Sequence, residues 1–150
     1  MMIELKRILL VEDNQNDVEL TLEALGEHKL ANIVEVTRDG EEALDYLYQR
    51  GKFASRPAGN PVVILLDLKL PKVDGHEVLR TIKADEKLKL IPVVILTSSR
   101  EEQDLVQGYK NGANAYVVKP VDFHEFLDAM KTFGVFWAVL NEAPPSERRA

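Results

Sequence analysis

The stretch that most constrains this chain is an apolar run that ends in a single carboxylate, Val62-Val63-Ile64-Leu65-Leu66-Asp67. The run is short, begins with β-branched residues and lies between Pro61 and Pro71. A run of this kind is typical of a strand that is buried on both faces, as strands are in parallel sheets. Asp67 is therefore expected at the C-terminal edge of a sheet, which is the edge where ligands bind in open α/β folds.

Asp67 has a second interpretation, in which it only caps the helix that follows. Asp74 is better placed to do so, because it precedes Gly75 and a periodic apolar pattern begins soon afterwards at Val78. We therefore expect Asp74 to cap the helix and Asp67 to carry a chemical function.

The composition excludes several classes of protein. The 150 residues carry a formal net charge of −6, which argues against a general nucleic-acid or anionic-membrane surface. The chain has no cysteine, which excludes disulfide scaffolds, thiolate zinc sites and cysteine nucleophiles. No apolar run reaches membrane-spanning length, and the first residues lack a signal pattern. We expect a cytoplasmic protein that binds neither nucleic acid nor membrane.

Four further apolar runs complete a repeating pattern of strand and helix. They are Arg7–Val11, Ile33–Val36, Ile91–Leu96 and Ala115–Val118. Each strand is followed by a segment with helical spacing, and these segments begin near Asn14, after the turn Asp39-Gly40, at Gly75, at Glu101 and near Asp122. The alternation predicts a parallel sheet with right-handed crossovers and helices on both faces. The predicted fold class is a flavodoxin-like (βα)5 doubly wound α/β sheet with strand order 2-1-3-4-5.

This pattern predicts a single domain over residues 1–140 and a flexible polar tail over residues 141–150. The segment from Gly51 to Pro61 is punctuated by glycine and proline and predicts a loop. It is longer than most connections, so we expect it to form a contact surface as well as a linker.

Polar residues stand at the ends of four predicted strands. They are Glu12 and Asp13, Asp67, Thr97 and Lys119. Because these four strands are neighbours in the predicted order, their polar ends converge at one edge of the sheet. Three carboxylates make an oxygen-rich site that suits Mg²⁺. A zinc site is not expected, because none of the three histidines stands at a strand end.

Phosphoryl transfer is the chemistry that this set of residues suits. A carboxylate can attack phosphorus to form an acyl phosphate, and catalysis then depends on positioning and on cations. Lys119 would supply a cation beside Mg²⁺, and the hydroxyl of Thr97 could donate a hydrogen bond to the product. Taken singly, Lys119 would be an ordinary solvated lysine and Thr97 a simple strand-end residue. Together, in this order along the chain and each at the end of a strand, these residues form a specific pattern.

These residues, with Leu70-Pro71-Lys72-Val73-Asp74-Gly75, Thr97-Ser98 and Lys119-Pro120, carry a family resemblance. From about Lys6 to Phe133 the chain resembles the receiver domains of two-component response regulators. The resemblance implies that Asp67 accepts a phosphoryl group from a sensor histidine kinase.

The same resemblance implies the roles of the residues around Asp67. Asp13 and Asp67 would bind Mg²⁺ directly, with Mn²⁺ as the alternative ion, together with the backbone carbonyl of Lys69. Glu12 would act on the ion through water. Thr97 and Lys119 would bind the phosphoryl group.

The family also implies a switch residue, the aromatic three positions before the lysine, which is Tyr116 here. Our hypothesis is that phosphorylation draws Thr97 inward and that Tyr116 turns inward behind it. This movement would bias a surface formed by helix 4, strand 5 and helix 5. The alternative is that Tyr116 is an ordinary half-buried core tyrosine.

Softer features indicate a subgroup of the family. The long loop Gly51–Pro61 and the aromatic last helix resemble single-domain regulators that pair with phytochrome-type histidine kinases. No DNA-binding or enzymatic domain is expected in the short tail. An exposed stripe of Phe133, Phe136 and Trp137 would favour a homodimer through the helix 4–strand 5–helix 5 face. The alternative is that these aromatic residues fold back onto their own domain.

Three other functions are alternatives to this one. A haloacid-dehalogenase-type phosphatase needs a second aspartate two residues after its nucleophile, where Lys69 stands. A flavodoxin needs a hydroxyl- and glycine-rich phosphate loop after strand 1, where Glu12-Asp13-Asn14 would repel a phosphate. A docking module that is never phosphorylated stays open, because only activity excludes it.

Overall fold

The computed structural model describes residues 7–26, 34–98 and 109–119, together with Asp122, His124, Glu125 and Asp128; the side chain of Thr97 lies outside the described part. Five parallel strands form one sheet: β1 (Ile8–Val11), β2 (Val34–Thr37), β3 (Val63–Asp67), β4 (Val93–Thr97) and β5 (Ala115–Val118). Their order is β2-β1-β3-β4-β5. The predicted fold class and strand order are confirmed.

Helices cover both faces of this sheet. They are α1 (Gln15–Gly26), α2 (Gly40–Leu47) and α3 (Gly75–Ala84), with a short 3-10 helix at Gly51–Phe53. On one face Leu9 and Ile64 pack in a cluster with residues of α2 and α3, and on the other Leu10 and Leu65 pack with residues of α1. Every residue of β1 and β3 is buried. The prediction that the run ending in Asp67 is buried on both faces is therefore confirmed.

The pair Asp39-Gly40 was predicted as a turn, and the structure corrects this. Asp39 is the N-cap of α2 and Gly40 is its first residue. The Asp39 side chain accepts a hydrogen bond from the backbone N–H of Glu42 at 2.7 Å, which satisfies a donor that the helix itself leaves without a partner.

Two other boundaries differ slightly from those predicted. β4 begins at Val93 because Ile91 belongs to a turn, in which its N–H donates to the carbonyl of Leu88 at 3.0 Å. β2 extends to Thr37, one residue beyond the predicted end. The loop after α2 contains the 3-10 helix.

The predicted helices at Glu101–Lys110 and beyond Asp122 lie mostly outside the described residues, as does the aromatic stripe of Phe133, Phe136 and Trp137. Within the part of the chain that the structure describes, no helix combines the length and apolar character needed to cross a membrane.

Candidate functional site

The carboxyl edge of the sheet brings together the acidic residues that follow β1 and end β3. Val11 lies opposite Leu66 in the parallel register, so Glu12 and Asp13 follow β1 beside Asp67. One carboxylate oxygen from each of these three acidic residues lies within 4.8 Å of the others. The convergence predicted from the strand ends is observed for these residues.

Lys119 follows β5 and reaches the same cluster. Its Nζ lies 3.3 Å from Asp67 Oδ2 and 2.9 Å from Asp17 Oδ2, and it also forms an ion pair with Glu12. Lys119 is therefore not the solvated surface lysine that it would be if taken singly.

Asp17 is a residue of this site that the sequence analysis missed. It lies in the first turn of α1, and its carboxylate accepts a hydrogen bond from the Lys119 ammonium. Its position four residues after Asp13, at the start of a predicted helix, was the available signal. An acidic residue in a first helical turn is common for reasons of helix stability, so that signal alone did not indicate a site.

The acidic residues differ in their exposure to solvent, and burial shifts the pKa values of the groups at this site. Glu12 and Asp67 are buried, whereas Asp13 is exposed. Burial raises the pKa of Glu12 to about 7, and a hydrogen bond with the Lys119 ammonium limits the rise. Burial lowers the pKa of Lys119, but its bonds to Glu12 and Asp17 and the charge of Asp67 outweigh this, so that its pKa lies above the ordinary value. The ammonium of Lys119 therefore stays charged.

The loop between β3 and α3 is held close to Asp67. The Asp67 side chain accepts a hydrogen bond from the N–H of Lys69 at 3.3 Å, and the N–H of Gly75 donates to the carbonyl of Leu68 at 3.0 Å. A Cβ at Gly75 would lie 2.4 Å from the carbonyl oxygen of Asp67, so only glycine permits this approach. Asp74 caps α3 through the N–H of His76, as predicted.

The structure gives less detail for the two predicted switch residues, Thr97 and Tyr116. Thr97 ends β4 opposite Val118, and its side chain lies outside the described part. Tyr116 lies on β5, is half-buried, and has its ring 6.0 Å from that of Tyr109. Both interpretations of Tyr116, as a switch and as a core tyrosine, are compatible with this position. The metal roles of Glu12, Asp13, Asp67 and Lys69 stay predictions.

The donor set at this edge fits a hard divalent cation. The group formed by Glu12, Asp13 and Asp67 offers only carboxylate oxygens, which Mg²⁺ and Mn²⁺ prefer to nitrogen or sulfur. The exposed Asp13 leaves one side of the cluster open to water, and Mg²⁺ usually keeps several water ligands.

A parallel sheet in this order, with an acidic cluster and a lysine at its carboxyl edge, defines a known class of signalling domain. Residues 8–131 match the response regulator receiver domain family. The chain belongs to this family and is a response regulator receiver domain of two-component signalling. Because the chain belongs to this family, it is neither a flavodoxin nor a haloacid-dehalogenase-type phosphatase.

Two similar proteins show the range of this family. The chain is 42% identical over 138 residues to the probable methanogenesis regulatory protein FilR2 of Methanothrix harundinacea (strain 6Ac), covering 91% of this chain and 86% of that protein. It is 39% identical over 132 residues to the response regulator Rcp1 of Synechocystis sp. (strain ATCC 27184 / PCC 6803 / Kazusa), covering 88% of each.

Solved structures bring out the likeness to phytochrome response regulators. The bacteriophytochrome response regulator AtBRR is 63% identical with a TM-score of 0.84, over 93% of this chain and 100% of that one. The phosphorylated cyanobacterial phytochrome response regulator RcpA is 41% identical with a TM-score of 0.74, over 94% and 98%. The Mn²⁺-bound form of Rcp1 is 37% identical with a TM-score of 0.73, over 93% and 97%.

Proposed function

We propose that this receiver domain accepts a phosphoryl group from a sensor histidine kinase onto Asp67. The observation that carries the proposal is the contact between the Lys119 ammonium and Asp67 Oδ2, 3.3 Å long, beside two further carboxylates at the edge of the sheet. A nucleophilic carboxylate with a cation and a metal-binding group beside it is the arrangement that phosphoryl transfer needs. The known phosphorylated relative RcpA supports the same chemistry.

The transfer begins with Asp67. One of its carboxylate oxygens forms a bond to phosphorus while the bond between phosphorus and the donor histidine nitrogen breaks, and the electron pair of that bond returns to the imidazole. Lys119 then binds a phosphoryl oxygen, and the hydroxyl of Thr97 donates a hydrogen bond to another. Loss of the group follows when a water oxygen bonds to phosphorus and the bond between phosphorus and Asp67 breaks. The electron pair of that bond returns to the Asp67 carboxylate, and the water protons pass to the released phosphate and to solvent.

A divalent cation, Mg²⁺ or Mn²⁺, would neutralise the charge of the acidic cluster and of the phosphoryl oxygens. Asp13 and Asp67 would hold it directly with the backbone carbonyl of Lys69, and Glu12 would hold it through water. The buried side chains Glu12 and Asp67 fix one side of this site, and the exposed Asp13 completes it on the solvent side.

The output and the partners follow from the same proposal. Tyr116 and Thr97 would transmit the phosphorylation to a surface formed by β5 and the helices before and after it, and a homodimer would form through that surface. A phytochrome-type kinase is the proposed partner, because AtBRR and RcpA are named as phytochrome response regulators. Sedimentation velocity with and without beryllofluoride tests the dimer, and a monomer in both conditions at micromolar concentration would contradict it.

The decisive experiment is the intact-protein mass after incubation with acetyl phosphate and Mg²⁺. Wild type is expected to gain one phosphoryl group, whereas Asp67→Asn, or wild type with a chelator, gains none. Asp45→Asn is the matched control. Asp45 is a carboxylate on α2 that lies away from the site, and its Oδ1 pairs with Arg50 Nε at a distance of 2.7 Å. A wild type that gains no phosphoryl group and binds no beryllofluoride would favour the docking module.

A further inference from the structure

Lys119 has an acidic partner that the phosphoryl site does not require. Besides Glu12 and Asp67, its ammonium contacts Asp17 Oδ2 at 2.9 Å, and this contact is shorter than the one to Asp67. An ammonium has three hydrogen-bond donors, and three carboxylates surround this one. Lys119 thus already donates hydrogen bonds to Asp17 and Asp67 and pairs with Glu12 before any phosphoryl group arrives.

The start of α1 directs Asp17 towards Lys119. The side chain of Asn14 caps the helix by accepting a hydrogen bond from the N–H of Asp17 at 3.1 Å. In a capping box, an acidic residue at this position bonds back to the N–H of the cap residue. Here the N–H of Asn14 donates to Glu12 Oε2 instead, at 3.2 Å. The carboxylate of Asp17 is therefore not used in capping the helix and engages Lys119.

The three partners of Lys119 differ in their access to solvent. The side chains of Glu12 and Asp67 are 1% and 9% exposed, whereas that of Asp17 is 32% exposed. Loss of a partner costs least where water can replace the bond, and the penalty for an unpaired buried carboxylate is much larger. Asp17 is consequently the partner that Lys119 can most easily exchange for another anion.

We infer that Asp17 is a positioning residue that competes with the phosphoryl group for Lys119. It holds the ammonium in the unphosphorylated arrangement, and the ammonium leaves Asp17 when it binds a phosphoryl oxygen. Asp17 thereby lowers the affinity of the site for a phosphoryl group. The inference rests on the proposed function, because it concerns the same Lys119 and the same phosphoryl group.

The first test measures the affinity for beryllofluoride, a phosphoryl mimic, at saturating Mg²⁺ by calorimetry. Asp17→Asn is expected to bind it about threefold to fivefold more tightly, the range for the loss of one partly exposed ion pair. Glu23→Gln makes the same change of net charge at an exposed position of α1 and is expected to leave the affinity unchanged. An Asp17→Asn affinity equal to or weaker than that of wild type would overturn the inference.

A double-mutant cycle on Mg²⁺ alone separates competition for Lys119 from a direct effect of the Asp17 charge. In the wild-type background, Asp17→Asn is expected to weaken Mg²⁺ binding, because Lys119 then pairs more fully with Glu12 and Asp67. In a Lys119→Met background the same substitution is expected to have less than half of that effect. An undiminished effect would mean that Asp17 acts on the ligands directly, and the inference would be wrong.

These outcomes are distinct from failure of the proposed function. If wild type binds no beryllofluoride and gains no phosphoryl group, the proposed function fails, and the Mg²⁺ cycle still tests the hold of Asp17 on Lys119. If wild type binds beryllofluoride and Asp17→Asn binds it no more tightly, only the role of Asp17 fails. Urea unfolding of Asp17→Asn shows whether the fold is intact, because a purely structural role would change stability without tightening the binding of an anion.

Discussion

The ammonium of Lys119 lies 3.3 Å from Asp67 Oδ2 although the two residues are 52 positions apart in the chain. One follows β5 and the other ends β3, with β4 between these strands in the sheet. The parallel arrangement of the strands directs both ends to the same edge. This relationship makes Lys119 a built-in counter-ion of the acidic cluster.

Lys119→Met is expected to tighten Mg²⁺ binding at least about threefold, because it removes a cation held against the carboxylates that would bind the metal. Without Mg²⁺ it is expected to lower the free energy of unfolding by about 3–5 kcal/mol, since it leaves buried carboxylates without their counter-ion. Calorimetry measures the first effect and urea unfolding the second. Lys110→Met, at an exposed position, is the control. Unchanged Mg²⁺ affinity in Lys119→Met would contradict the assignment of Lys119 as a competing cation.

The pH dependence of stability is expected to report Glu12. Its pKa is raised from 4.5 to about 7 in the folded protein, mainly because it is buried. The folded state therefore holds the proton more strongly, so this contribution to stability is present below pH 4.5 and is lost as the pH rises through about 7. The loss has a maximum slope of about 1.4 kcal/mol per pH unit, which corresponds to one proton.

The measurement is urea unfolding of metal-free protein across this pH range. As the pH rises, wild type is expected to lose stability relative to Glu12→Gln, because the glutamine side chain has no proton to release. Saturating Mg²⁺ is expected to abolish the difference, because a cation stabilises the ionised carboxylate. Parallel curves for the two metal-free proteins would show that Glu12 keeps an ordinary pKa.

Gly40→Ala is expected to disturb the loop that follows Asp67. A Cβ at Gly40 would lie 2.0 Å from the carbonyl oxygen of Val73, and the N–H of Gly40 donates to the carbonyl of Pro71 at 3.3 Å. Because the obstructing atom belongs to the backbone, the loop itself must move. We expect a loss of about 1–3 kcal/mol in the free energy of unfolding and weaker Mg²⁺ binding. Glu41→Ala, exposed in the same helical turn, is expected to change stability by less than about 0.5 kcal/mol.

Lys83 is expected to stabilise the fold at the opposite edge of the sheet, where β4 and β5 begin. Its Nζ donates to the carbonyls of Lys89 and Ile91 and to Asn114 Oδ1, at 3.2, 2.9 and 3.1 Å. Lys83→Met has a similar length but no donor, so it is expected to cost about 1–3 kcal/mol of stability by leaving acceptors without partners. The control Lys87→Met changes an exposed lysine and is expected to be nearly neutral. Both effects are measured by urea unfolding, and equal stability of the two variants would refute this role of Lys83.

Much of the fold was predictable because the local pattern and the tertiary structure agree. The buried run ending in Asp67 could hardly form anything except an interior strand, and Asp74 had the position of a cap. The prediction of a turn at Asp39-Gly40 was wrong, because aspartate followed by glycine is compatible both with a turn and with the start of a helix. The packing of Gly40 against Val73 decided between them, and this contact joins segments far apart in the chain.

By itself, the sequence determined the alternation of strand and helix, the strand order and the acidic residues at the strand ends, because these depend on local periodicity and on general rules of α/β topology. Only the tertiary structure decided how Lys119 is shared among its carboxylates. Asp17 joined the site because the first turn of α1 faces the end of β5, and the N–H of Asn14 was already bonded to Glu12. Contacts of this kind depend on the directions of side chains from separate elements, and no spacing along the chain encodes them.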